Sequence, residues 1–180
     1  AYDQNGTWST KAGSVADIPW TTDALEMTLK EVPANKLVLG VPFYARIWQT
    51  QNGKVVKTSA VGMETVAKKI EENNAEIVYD KKTGQNYAEW TDGETLYQVW
   101  IEDKTSIKAR VDLVNKHDLA GIASWSKTFE TPDIWEYIED IMKYVDPLPY
   151  AVAIDEVQFF GKDMVDAINI LADKGVRIIA

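Results

Sequence analysis

Two apolar runs, Lys36-Leu-Val-Leu-Gly-Val-Pro-Phe43 and Leu119-Ala-Gly-Ile-Ala-Ser-Trp125, decide how the rest of the sequence is interpreted. Each run is continuous rather than alternating, as is typical of a strand that is covered on both faces of a parallel sheet. The segments around them have helical spacing. Strands that alternate with helices form parallel sheets with helical crossovers, so we expect an α/β fold.

The remaining elements follow from apolar periodicity and turn signals. The first helix is expected to begin at Thr21 or Thr22, both of which are suitable N-cap residues. Two turn sequences, Lys81-Lys-Thr-Gly84 and Thr91-Asp-Gly93, separate three short β-prone stretches and predict an antiparallel insertion. The sequence predicts helices at 21–30, 63–72, 103–116, 132–144 and 162–174, and strands at 36–43, 75–80, 85–90, 95–101, 119–125, 150–155 and 176–179.

Composition limits the classes of partner. The chain has 180 residues, of which 46% are apolar and 26% charged, as in ordinary globular domains. Its net charge of −9 repels phosphate backbones, so we expect no nucleic-acid partner. The sequence contains no apolar stretch of the roughly 20 residues that a bilayer requires, and no signal peptide, so we expect no membrane partner.

Signals for a metal or a cofactor are weak. There is no cysteine, which excludes disulfides and thiolate metal sites. The single histidine, His117, follows a predicted helix, and the helix dipole favours a positive charge at that end of the helix. The sequence has no glycine-rich phosphate-binding loop. We therefore expect neither a cofactor nor a metal.

Polar and aromatic residues occur where predicted strands end, which is where parallel α/β folds carry functional groups. The residues concerned are Tyr2-Asp3, Tyr44 with Arg46, Trp125, and Asp155-Glu156. Any of them alone is explained by capping or packing. The seven tryptophans and eight tyrosines of the chain are consistent either with core filling or with a sugar-stacking cleft. Several such strand ends together favour the cleft.

The first 145 or so residues resemble the C-terminal half of glycoside hydrolase family 18, which contains chitinases and spore-peptidoglycan N-acetylglucosaminidases. The segment from Val32 to Arg46 resembles the seventh barrel strand of that family, with Ala45 where glycine is usual. The segment from Asn74 to Ile101 resembles its small α+β insertion, and 119–125 its eighth strand. The resemblance implies a partial TIM-type β/α barrel with a small α+β insertion.

The same resemblance implies roles for individual residues. Family 18 uses substrate-assisted retention, an exception to the usual two-carboxylate scheme. Tyr2 and Asp3 match the pair that positions the substrate acetamido group, Trp125 matches the indole beneath the sugar, and Tyr44 and Arg46 match substrate-binding cleft residues. The family's acid motif, Asp-x-x-Asp-x-Asp-x-Glu, does not occur in this sequence. Since loss of a general acid costs about 10²–10⁴-fold in rate, we expect no useful hydrolysis of N-acetylglucosamine polymers.

The last 31 residues or so have a different character and contain no tryptophan. They follow the linker Asp146-Pro-Leu-Pro149. The motif Asp155-Glu-Val-Gln-Phe-Phe160 resembles bacterial thymidine kinase, which implies that Asp155 is a Walker B carboxylate near Mg²⁺ and Glu156 a base. We expect residues 149–180 to add a strand–helix–strand unit to the barrel domain formed by 1–148, whose insertion spans about 49–101.

Three interpretations of the whole chain stay open at this stage. It is a family 18 fragment that binds N-acetylglucosamine oligosaccharide weakly, a structural chimera without a ligand, or, least favoured, a nucleoside-kinase remnant. Both ends of the sequence lie within strand-like segments, which favours an excised or recombined piece. Open strand edges favour pairing with a second copy, so we expect a homodimer. The resemblance implies that the parent protein is secreted or associated with the spore or cell wall.

Overall fold

The computed structural model describes residues 1–134, 151–153 and 177–179. The chain divides into two compact units, Ala1–Ile141 and Met142–Ala180. The helices are α1 (Ile18–Thr28), α2 (Met63–Glu72) and α3 (Lys104–Lys116), with short 3₁₀ turns at Ala34–Lys36, Lys127–Phe129 and Pro132–Ile134. The strands are β1 (Val38–Pro42), β2 (Tyr44–Gln51), β3 (Lys54–Gly62), β4 (Ile77–Asp80), β5 (Gln85–Asp92), β6 (Thr95–Ile101), β7 (Gly121–Trp125), β8 (Ala151–Ala153) and β9 (Arg177–Ile179).

The two apolar runs form neighbouring parallel strands, as the sequence predicts. β1 pairs with β7 in a register that places Val38 opposite Gly121 and Pro42 opposite Trp125. β1 is shorter than predicted because the chain from Ala34 to Lys36 forms a 3₁₀ turn before the strand begins. Strands joined in parallel require a long crossover, and here α3 supplies the last part of it.

A five-stranded antiparallel sheet interrupts the path from β1 to β7, with strand order β3-β2-β6-β5-β4. The three predicted insertion strands are confirmed as β4, β5 and β6. The β2–β3 hairpin was missed, although its turn, Asn52-Gly53, is a strong hairpin signal. Both turn residues have positive φ, 50° and 74°. The sheet therefore begins at Tyr44, ahead of residue 49, where the sequence analysis begins the insertion.

Helix α2 covers one face of this sheet and has the bounds that the sequence predicts. Its residues Val66 and Ile70 pack on Ala45 and Ile47 of β2 and on Val99 of β6. Side chains alternate between the two faces of a strand. The other face of β2 therefore carries Tyr44, Arg46 and Trp48.

The start of the first helix differs from the prediction. α1 begins at Ile18 rather than at 21, and the side chain of Asp17 accepts a hydrogen bond from the backbone N–H of Trp20 at 2.7 Å. The predicted cap Thr21 is fully buried inside the helix. Pro19, in the first turn, has no N–H to satisfy there, which makes it compatible with a helix that starts after Asp17.

A buried ion pair joins three separate parts of the first unit. Arg110 of α3 donates to both carboxylate oxygens of Glu102, at 2.6 and 2.9 Å, and both side chains are fully buried. Arg110 also donates to the carbonyl of Ala16 at 2.6 Å. Gln85 and Ser106 donate to the same carboxylate at 2.9 and 2.7 Å. The network holds the loop before α1 against the sheet and α3.

In the second unit, β8 and β9 form a parallel pair. They lie within the strands predicted at 150–155 and 176–179. Of the helix predicted at 132–144, the described part is a 3₁₀ turn at Pro132–Ile134. The predicted linker at 146–149, the helix at 162–174 and the residues Asp155 and Glu156 lie outside the described residues. Across the described ranges, no helix is both long enough and apolar enough to cross a membrane.

Candidate functional site

Two of the predicted strand ends come together beside β1. Trp125 ends β7, and its carbonyl accepts a hydrogen bond from the backbone N–H of Phe43 at 2.7 Å. On the other side of β1, the backbone nitrogen of Ala1 donates to the carbonyl of Gly40 at 2.6 Å. The ring of Tyr2 lies 3.5 Å from the position that a Cβ would take on Gly40. The chain around Tyr2 and the end of β7 thus flank the same strand.

Tyr44 lies at the centre of this cluster. Its hydroxyl donates a hydrogen bond to the carboxylate of Asp3. Its ring contacts the ring of Tyr2 edge-on, with centroids 6.3 Å apart, and that of Trp125 edge-on at 5.3 Å. The structure therefore brings together four residues that the sequence analysis assigned to one cleft. Of these, Asp3 and Tyr44 are hydrogen-bonded although they are 41 residues apart in the sequence.

The backbone at Asp3 is also unusual. Its φ of 65° lies in the left-handed region, which costs energy for most residues but is tolerated better by aspartate. Strained backbone of this kind persists where surrounding contacts hold it, and it is concentrated at functional sites. The hydrogen bond from Tyr44 is one such contact.

The electrostatics keep Tyr44 protonated. Burial raises the pKa of Tyr44 well above its ordinary value of 10, and the hydrogen bond to Asp3 and the negative charge of Asp3 raise it further. The positive charge of Arg46 opposes this rise and is the smaller effect. At neutral pH the phenol is therefore a fixed donor, and the carboxylate of Asp3 is held in one orientation.

Arg46 is placed differently from the expectation. Tyr44 and Arg46 belong to β2 of the antiparallel sheet rather than to the barrel strand β1, because the chain bends at Phe43. They are two residues apart and so share one face of β2. Arg46 is half-buried, and its buried Nε has no hydrogen-bond partner in the part of the chain that the structure describes. The positive charge of the guanidinium acts on the Tyr44 phenol, which lies on the same face of the strand.

Phe129 is a member of the cluster that the sequence analysis did not assign to it. Its ring lies 5.4 Å from that of Trp125, at 62°. A Cβ on Gly62 would meet Phe129 at 2.9 to 3.1 Å, so only glycine allows this close approach of β3. The sequence feature that could have identified Phe129 as a site residue was its position in the loop just after β7. Phe129 supports one side of the Trp125 indole.

The cluster presents both aromatic and polar surface. Tyr2 and Trp125 are 37% and 41% exposed, and Asp3 is exposed as well. An exposed indole can stack on the apolar face of a sugar ring. The carboxylate of Asp3 can accept hydrogen bonds from the edge of that ring, and the phenol of Tyr2 can donate them. Among the described residues, no group of three His, Cys, Asp or Glu side chains could hold a metal ion. His117 ends α3, as predicted.

The sequence profile described as Glycosyl hydrolases family 18 matches residues 1–130. This chain belongs to family 18. Among curated relatives, the cortical fragment-lytic enzyme of Bacillus subtilis (strain 168) is 32% identical over 131 residues, covering 71% of this chain and 30% of that protein. The chain spans about a third of the length of the curated relatives it matches.

Solved structures agree with the partial family 18 barrel. The spore cortex-lytic enzyme SleL of Bacillus megaterium QM B1551 superposes with a TM-score of 0.67 at 26% identity, covering 77% of this chain and 32% of that one. A chitinase from Chromobacterium violaceum ATCC 12472 gives a TM-score of 0.70 at 22% identity, covering 78% and 43%, and supports the fold alone. The predicted fold class, an α/β partial barrel with an inserted sheet, is confirmed.

A second similarity concerns a shorter stretch. Thymidine kinase of Mycoplasma mobile is 38% identical over 73 residues, which is 41% of this chain and 36% of that protein. The chain therefore combines family 18 membership with a partial likeness to thymidine kinase. The kinase-like residues Asp155 and Glu156 lie outside the described part of the structure.

Proposed function

We propose that this chain forms the acetamido-holding and sugar-stacking side of a cleft that binds polymers of N-acetylglucosamine. The observation that carries the proposal is the contact of Tyr44 with both Asp3 and Trp125. It joins the group suited to hold an acetamido substituent to the group suited to stack on a pyranose ring. Both ends of that arrangement are solvent-exposed and open to a ligand.

Each residue has a distinct role in this proposal. The carboxylate of Asp3 accepts a hydrogen bond from the acetamido N–H of the sugar, and the hydroxyl of Tyr2 donates to a neighbouring oxygen. Trp125 stacks on the apolar face of the ring, and Phe129 and Tyr44 limit its movement. Arg46 donates to sugar hydroxyls from the adjoining sheet. Tyr44 orients Asp3 through its hydroxyl and is a positioning residue.

Binding without hydrolysis is the expected behaviour of these 180 residues by themselves. In substrate-assisted retention, the acetamido oxygen of the sugar attacks the anomeric carbon while a separate acid protonates the leaving oxygen. Asp3 and Tyr2 can orient the acetamido group. The sequence contains no Asp-x-x-Asp-x-Asp-x-Glu motif to supply the acid. We therefore propose a polysaccharide-binding chain whose own hydrolytic rate is negligible.

The substrate class is chitin or peptidoglycan. Both polymers carry the acetamido group that the Asp3 arrangement suits. The names of the relatives, which include a cortical fragment-lytic enzyme, a spore cortex-lytic enzyme and chitinases, support both. On this basis we propose that the parent protein acts at the spore or cell wall.

A homodimer and a chimeric origin complete the proposal. Unpaired strand edges pair readily with a second chain, and a symmetric dimer would cover them. Light scattering at micromolar concentration tests this directly, and a monomeric mass would refute it. The likeness to thymidine kinase covers 73 residues, more than the 32 residues of 149–180, and supports a kinase-derived part of the chain. A titration with thymidine or ATP that produces a saturable signal would instead favour a nucleoside site.

Tryptophan fluorescence titrated with chitotetraose tests the carbohydrate proposal. We expect saturable quenching in the wild type, its loss in Trp125→Ala, and weakening in Asp3→Asn. The matched control is Trp20→Ala, which removes an indole from α1, outside the cluster. Quenching that survives Trp125→Ala but not Trp20→Ala would refute the proposed site. No change in the wild type at millimolar sugar would leave the structural chimera without a ligand as the better account.

A further inference from the structure

The inserted sheet is longer than the helix that covers it. α2 has ten residues and spans about 15 Å, whereas β2 has eight and spans about 26 Å. The helix starts directly after Gly62, which lies opposite Tyr44 in the sheet. Residues of α2 and of the sheet together line the space beside Gln49.

A cavity of about 400 Å³ lies between α2 and the Gln49 end of the sheet, within the range of small-molecule sites. Its aromatic lining is Trp90 and Tyr97, a cross-strand pair whose rings stack 5.3 Å apart at an angle of 6°. Gln49 pairs with Tyr97 on the next strand. Because side chains alternate along β2, Gln49 lies on the face opposite to Tyr44 and Arg46. The cavity is distinct from the cluster around Asp3.

The polar lining of the cavity has unused hydrogen-bonding capacity. Gln49 and Ser59 are half-buried, and Thr65 of α2 completes this side of the cavity. None of the three side chains has a hydrogen-bond partner within the described residues. Half-buried amide and hydroxyl groups are best satisfied by a ligand or by water. An amide and two hydroxyls in the same lining as an aromatic pair suit a ligand with an apolar face and a hydroxylated edge.

The charges of the lining select against anions. Lys69 and Glu72 of α2 form an ion pair at 2.8 Å and neutralise each other. The lining then has a net charge of −1, which is carried by the carboxylate of Asp92. A carboxylate or phosphate ligand would be repelled there, whereas a neutral sugar would not.

We propose that this cavity is a second carbohydrate site, which binds a neutral pyranose unit through the Trp90–Tyr97 stack and the amide of Gln49. Occupancy of this site and of the Asp3 cluster by one polymer would hold the chain on its substrate at two points. Two weak sites joined in this way bind far more tightly than either alone. The cavity site does not depend on the function proposed for the Asp3 cluster.

Heteronuclear NMR of the nitrogen-labelled 180-residue chain, titrated with chitotetraose, separates the two sites. The indole N–H of Trp90 reports on the cavity and that of Trp125 on the Asp3 cluster. We expect the Trp90 signal to shift saturably in the wild type and also in Trp125→Ala. Gln49→Ala should weaken that titration about three- to tenfold, as expected for one lost neutral hydrogen bond. The matched control Gln51→Ala, on the same strand but outside the cavity lining, should leave it unchanged.

Each outcome of the titration has a defined meaning. If only Trp125 shifts, the cavity proposal fails and the function proposed for the Asp3 cluster stands. If only Trp90 shifts, the function proposed for the Asp3 cluster fails and the cavity proposal stands. If neither signal shifts, both proposals fail. A Trp90 shift that is equally sensitive to Gln49→Ala and Gln51→Ala would also overturn the cavity site. An unchanged spectrum of the free variants confirms that they are folded.

Discussion

Replacing Arg110 with methionine tests the contribution of the buried ion pair. Arg110 makes two hydrogen bonds to Glu102 and one to the carbonyl of Ala16, and both charged side chains are fully buried. Methionine fills most of the same volume but leaves the Glu102 carboxylate without its counter-charge. Removing one partner of a buried pair typically costs about 3–5 kcal/mol. For a unit of this size, that loss lowers the melting temperature by about 10–20 °C.

The assay is urea unfolding followed by circular dichroism, with Lys108→Met as matched control. Lys108 lies on the same helix and forms an exposed ion pair with Asp112 at 2.7 Å. Exposed pairs contribute less than about 1 kcal/mol, so the control should lose little stability. The double variant Glu102→Met with Arg110→Met removes both charges and should recover most of the loss.

The pH dependence provides an independent check. Burial raises the pKa of Glu102 above its ordinary value of 4.5, and Arg110 opposes that rise. In Arg110→Met the folded-state pKa is therefore higher still. The protonated carboxyl then stabilises the folded variant below pH 4.5, and this contribution is lost as the pH rises through the folded-state pKa. The stability deficit of the variant should be largest at neutral pH and narrow on acidification. A deficit below about 1 kcal/mol, or one that widens on acidification, would refute the reasoning.

Two further predictions concern the candidate site and its supporting loop. Tyr44→Phe should remove one tyrosinate signal from the alkaline absorbance titration at a pH above 10, because burial and Asp3 raise the pKa of Tyr44 above that ordinary value. The phenol stabilises the fold below pH 10, and this contribution is lost as the pH rises through the folded-state pKa. A signal lost at or below pH 10 would contradict the prediction. Asp17→Ala should lower the free energy of unfolding by about 1 kcal/mol because α1 loses its N-cap. Asp23→Ala, at an exposed position on α1, is the control in the same thermal melt, and equal losses in both variants would show that capping is not the cause.

Local patterns predicted the elements whose cause is local. The bounds of α2 follow from Val66 and Ile70, four residues apart on one buried face. Of the predicted turn Thr91-Asp-Gly93, Gly93 lies between β5 and β6, whereas Thr91 and Asp92 are the last residues of β5. The missed hairpin also had a local signal in Asn52-Gly53, and α1 had one in Asp17 before Pro19. The sequence therefore contains local signals for both of these elements.

The sequence by itself determined the family, the paired strands β1 and β7, and the candidate residues Tyr2, Asp3 and Trp125. Only the tertiary structure decided which of these groups meet. It placed Tyr44 on the inserted sheet with its hydroxyl on Asp3, and it brought Arg110 to the carbonyl of Ala16, 94 residues away. Contacts between distant segments depend on how sheets, helices and loops pack together. No periodicity or turn signal along the chain records that packing.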